Sequence, residues 1–122
     1  MQIKAQLESR SKSGTQNEDV KCWSPGENPL CLRIELADGT QFILPYGYFE
    51  GARFTRNEDA DFLHLEFRAY QFILKGNALT ELFDAIQSLS VAWLKECPRR
   101  YRPLTRPEQA FVTSVEVKSQ RE

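Results

Sequence analysis

From Leu30 onward, apolar and polar residues alternate in a way that assigns most segments. Leu32, Ile34 and Leu36 are separated by Arg33 and Glu35, the pattern of a strand with one buried face. Ala37-Asp38-Gly39 follows as a turn, and its length decides the pairing. A two-residue Asp38-Gly39 loop would set Ile34 opposite Ile43 and move Phe42 and Leu44 to the charged face. A three-residue loop with Gly39 left-handed pairs Ile34 with Phe42 and Leu32 with Leu44 on one face, and this is the expected hairpin. Pro45, which has no N–H, limits its strand to a partly unpaired position or ends the pairing.

Gly47 and Gly51 interrupt the aromatic stretch from Tyr46 to Phe54, where a short strand over 52–55 fits, and residues 57–61 (NEDAD) read as a loop. A second hairpin follows. With Arg68-Ala69 as its loop, Leu63 faces Leu74, Leu65 faces Phe72 and Phe67 faces Tyr70. Asn77 is a candidate helix cap. Beyond it Leu79, Leu82, Phe83, Ile86, Leu89, Trp93 and Cys97 recur at three- and four-residue spacing, which predicts one amphipathic helix over about 78–97, ended by Pro98.

The flanks differ. Residues 8–28 are polar and rich in turn formers, with Cys22 and Trp23 the two side chains suited to docking; residues 98–107 (PRRYRPLTRP) hold three prolines and four arginines. The chain therefore divides into a polar arm over 1–29 with a short strand at 2–7, a globular core over 30–97, and a Pro/Arg-rich linker from 98 leading to a final strand at 110–118. The expected fold class is α+β: a strongly bent antiparallel sheet, or small partly open barrel of about 4–6 strands, capped by the helix.

Composition narrows the function classes. Hydrophobic residues make up 41% of the 122 and charged residues 27%, which suits a domain with its own core. Net charge is −1; the first 61 residues carry 7 Lys/Arg against 10 Asp/Glu and the remainder 9 against 7, so no overall polyanion-binding signature exists. Neither a signal peptide nor a membrane-spanning helix can be drawn, and the expected location is cytoplasmic. Cys22, Cys31 and Cys97 form an odd set without CxxC spacing, for which reduced thiols are the default.

Candidate chemistry is sparse. Asn57, Asp59 and Asp61 match the first three ligand positions of a calcium-binding loop, but Phe62 stands at the sharp-turn glycine and Arg68 at the bidentate acid, so a solvated loop is the better reading. The three cysteines and His64 lack the close pairs of a zinc site. His64, the single histidine, sits two residues from Glu66 on one strand face and is the residue through which an enzyme with a cysteine nucleophile would have to work. Arg99, Arg100, Tyr101, Arg102 and Arg106 combine guanidinium groups with an aromatic, the chemistry of single-stranded nucleic-acid contact, although a solvated connector has the same composition. Ile43, Phe62 and Ile73 point away from the apolar face; aligned, they would form a patch needing a cover, supplied by the terminal segments or by another copy.

The expected function is a non-catalytic binding or scaffolding module that self-associates through its sheet, with no cofactor and no membrane. The alternatives are a nucleic-acid-associated regulator using Arg99 to Arg106 and a small enzyme using His64 and a cysteine.

Overall fold

A computed structural model describes residues 21–98 and 108–120. Among the described residues two four-stranded sheets are packed on one another with one α-helix, an α+β arrangement that is not closed into a barrel. In chain order the strands are β1 (Trp23–Pro25), β2 (Cys31–Glu35), β3 (Gln41–Pro45), β4 (Phe49–Arg56), β5 (Asp61–Phe67), β6 (Tyr70–Asn77), β7 (Val91–Lys95) and β8 (Phe111–Ser119), with helix α1 (Thr80–Gln87) between β6 and β7. The first sheet has the order β1-β7-β2-β3 and the second β4-β5-β6-β8.

Both hairpins take the expected registers. Ile34 lies opposite Phe42 and Leu32 opposite Leu44. The loop has three residues, with Gly39 at φ 94° and its N–H donating to the Leu36 carbonyl; a left-handed glycine closing such a loop keeps the apolar residues on one face. In the second hairpin Leu63 pairs with Leu74 and Leu65 with Phe72. The hairpins nevertheless belong to different sheets, and their apolar faces meet each other. Phe42 makes edge contacts with Tyr70 and Phe72, ring centroids 5.2 and 5.3 Å apart, and Leu32, Ile34, Leu63, Leu65, Phe72 and Leu74 are fully buried between the sheets.

The helix is much shorter than the spacing predicts. It stops at Gln87, and Leu89 turns left-handed at φ 54° while the Ser90 N–H donates to the Ala85 carbonyl, 3.0 Å away. This is the chain reversal that glycine ordinarily marks, here made by a leucine. Residues 91–95 then form β7, antiparallel to β1 and parallel to β2. Trp93 and Cys97, expected on the helix stripe, are therefore not helical. A bulge explains how a strand imitated helical spacing: Ser24 pairs with Trp93 and Pro25 with Val91, leaving Ala92 as an extra residue. The extra residue reverses the alternation, so Val91 and Leu94, three apart, are both fully buried.

Asn77 ends β6 and does not cap the helix; no side chain of the preceding residue, Leu79, does so either. The buried Asp61 acts instead from β5, its carboxylate accepting the Leu79 N–H at 3.1 Å and lying 3.4 Å from the Arg56 guanidinium. Arg56 also donates to the Thr80 hydroxyl. The acidic segment thus contributes its last residue to helix anchoring. α1 buries Leu82 and Ile86, and its Phe83 stacks on Phe54 of β4 at 5.2 Å. β1 lies within the stretch expected to be a polar arm, and Cys22 beside it is buried. The strand expected over 2–7 falls outside the described residues.

Candidate functional site at the edge of β3

Among the described residues β3 pairs with β2 alone, and its other side is the edge of the first sheet. Hydrogen bonds at both ends of the hairpin fix the direction of its backbone groups: the Leu36 N–H donates to the Thr40 carbonyl and the Tyr46 N–H to the Leu30 carbonyl. Antiparallel bonding alternates with period two, so Phe42 and Leu44 direct their N–H and C=O groups at β2. Gln41 and Ile43 direct theirs outward, as does the Pro45 carbonyl; the Pro45 nitrogen, with no hydrogen to donate, occupies the third outward position. The Glu35 carbonyl, accepting the Glu96 N–H, faces the opposite side as this alternation requires.

The approach to this edge is an apolar groove. It holds about 450 Å³ and is lined by Ile43, Leu44, Pro45, Tyr48, Phe67, Arg68, Ala69 and Tyr70, so that the turn between β5 and β6 forms its far wall. The Arg68 guanidinium lies over the Tyr48 ring, 5.5 Å from its centroid, leaving an arginine at the mouth. Leu30, Ile43 and Tyr48 are exposed, Leu30 at 85% and Ile43 at 59%. All three lie on β3 or beside its end, since Leu30 pairs with Tyr46. No residue of β3 is charged. The other edges are guarded in the ways sheets usually are: β4 carries Glu50, Arg53 and Arg56, β8 carries Glu116 and Lys118, and β1 is three residues long and ends in proline.

The outward row expected from Ile43, Phe62 and Ile73 is not assembled. Ile43 belongs to the first sheet, whereas Phe62 and Ile73 are half-buried on the outer face of the second. The row expected of one sheet is divided because the two hairpins occupy two sheets. Across the first sheet Ile43 lines up instead with Arg33 and Trp93, which are opposite one another in register. Trp93, with the Lys95 ammonium 5.8 Å from its ring, is thus an outer-face residue that helical periodicity concealed. Only recognition of the β7 strand would have revealed it.

His64 lies on the outer face of the second sheet in the row Arg53–His64–Ile73–Glu116. Its Nδ1 is 3.2 Å from the Arg53 guanidinium, and Glu66 accepts a hydrogen bond from Gln71 rather than orienting the ring. Partial burial, then the positive charges of Arg53 and Lys118, hold His64 below its ordinary pKa of 6.5. Cys22 and Cys97 are in the core and Cys31 is opposite Pro45 in the first sheet, so no cysteine joins His64. Among the described residues no group of three or more His, Cys, Asp or Glu side chains is placed to hold a metal ion, and no helix is long and apolar enough to cross a membrane. Arg99, Arg100, Tyr101, Arg102 and Arg106 lie outside the described residues. No protein-family model, curated protein or solved structure matches the chain, so the case for function rests on the β3 edge itself.

Proposed function

We propose that the protein is a non-catalytic binding module that self-associates by pairing β3 with β3 of a second copy. The observation that carries this reading is an uncharged edge strand whose outward backbone groups complement themselves. In an antiparallel pair centred on Ile43, the two Ile43 residues exchange N–H···O=C bonds, and each Gln41 N–H meets the partner's Pro45 carbonyl. Proline falls where its missing N–H costs only a bond to the partner's Gln41 carbonyl. The exposed Ile43 side chains come together on the outer face, beside the apolar groove that flanks β3. Sheet extension across a two-fold axis is a common closed arrangement for two copies.

Sedimentation velocity over a micromolar concentration series tests it. Wild type is expected to form a reversible dimer. Ile43→Lys, which sets like charges directly opposite one another, is expected to be monomeric, whereas Ile73→Lys on the second sheet should associate as wild type does. A strictly monomeric wild type, or equal weakening by both substitutions, overturns the reading.

A further inference from the structure

We propose that Cys22 and Cys97 are a bonding pair that closes as an intramolecular disulfide, with Cys31 left as the free thiol. Their Sγ atoms are 2.8 Å apart although the residues are 75 positions apart in the chain. That separation is within about 1 Å of a disulfide bond length. The backbone holds both residues in place. The Cys22 carbonyl accepts the Lys95 N–H at 2.7 Å, the Cys97 N–H donates to the Val112 carbonyl at 2.8 Å, and the Val112 N–H points back at the Cys22 sulfur at 3.4 Å. Two thiols pinned by the same pair of strands can bond with little movement of either strand. Both are enclosed by the core, at 1% and 2% exposure, whereas Cys31 lies in β2 opposite Pro45. The selection of one pair from three cysteines is therefore geometric.

Burial also sets the route. The hydrogen bond to Cys22, and then burial, push the Cys97 thiol well above its ordinary pKa, so the closed core reacts slowly. β1 has three residues and a bulged pairing, making its release the least costly opening beside either sulfur. With glutathione disulfide as the oxidant, the exposed Cys22 thiol loses its proton and the thiolate attacks one glutathione sulfur. A mixed disulfide forms and one glutathione thiolate leaves, taking up a proton. Cys97 then loses its proton and attacks the Cys22 sulfur, expelling the second glutathione thiolate. Two protein thiols are oxidised and one glutathione disulfide is reduced to two thiols. The new bond fixes β1 to the chain leaving β7 and closes a loop that contains most of both sheets.

The test uses the full chain equilibrated with glutathione redox mixtures, quenched, unfolded, alkylated and mapped by mass spectrometry. One alkylated cysteine, Cys31, is expected, together with a peptide pair linking Cys22 to Cys97. The thermal midpoint should rise by roughly 10 °C on oxidation, and Cys31→Ser should leave both results unchanged. Three alkylated cysteines under oxidising mixtures, a bridge that includes Cys31, or a covalent dimer would each overturn the assignment. The wild-type thiol count is decisive even where Cys22→Ser or Cys97→Ser does not fold.

Discussion

The two sheets have the same number of strands but are assembled and finished differently. In the second, β4, β5 and β6 follow one another along the chain, every pairing is antiparallel, and charged residues stand on both edges. In the first, β7 is inserted between β1 and β2, one pairing is parallel, and the β3 edge carries no charge. The second sheet carries charges on both of its edge strands, whereas among the described residues β3 is an edge strand without any, and the proposed pairing of β3 with β3 rests on that difference.

The largest test of this contrast concerns the close approach inside the second sheet. A Cβ on Gly76 would lie 1.9 Å from the Phe111 carbonyl oxygen, at the bulge between β6 and β8. Gly76→Ala must push that backbone away, and a loss of about 3 kcal/mol or more is expected in urea unfolding. A near-neutral result would show that the β6–β8 pairing is far more pliant than its register implies. Asp61→Ala should come next. It leaves the buried Leu79 N–H without its carboxylate partner, and calorimetry should show a loss of about 1–3 kcal/mol.

Tyr46 sharpens the comparison from the first sheet's side. Its hydroxyl donates to the Val91 carbonyl at 2.7 Å, tying the end of β3 to β7, and burial pushes its pKa up to about 12. Because the folded value lies above the unfolded value near 10, the contribution is complete below pH ~10 and is lost as pH rises towards 12. Tyr46→Phe should cost about 1 kcal/mol at neutral pH and flatten the alkaline decline. The smallest effect belongs to His64 on the opposing outer face. Its folded pKa is depressed, so its contribution is present above about pH 6.5 and is lost as pH falls through the folded value. An NMR titration should place its midpoint below 6.5, and Arg53→Gln should raise it.

The local pairings were legible because their signals were local. Ile34 against Phe42 and Leu65 against Phe72 follow from period-two alternation and from turns of two or three residues. The division into two sheets was not legible, since each hairpin alone shows only which of its faces is apolar. Residues 88–95 misled for a different reason. A left-handed leucine at 89 took the place of the glycine that usually announces a helix end, and the Ala92 bulge gave β7 a three-residue apolar spacing. From those two substitutions of cause came the misplaced Trp93 and the overlong helix. Ile43, Phe62 and Ile73 are each legible as outward from strand alternation, but whether they align depends on topology, which places them on two different sheets.

The parallel contact between β2 and β7 has a consequence for biosynthesis. The β2–β3 hairpin leaves the ribosome early, yet its neighbour on the far side is encoded only at residues 91–95. Until those residues emerge, β2 lacks its neighbour on that side. During synthesis β2 therefore passes through a stage with an uncovered flank, which β7 later fills.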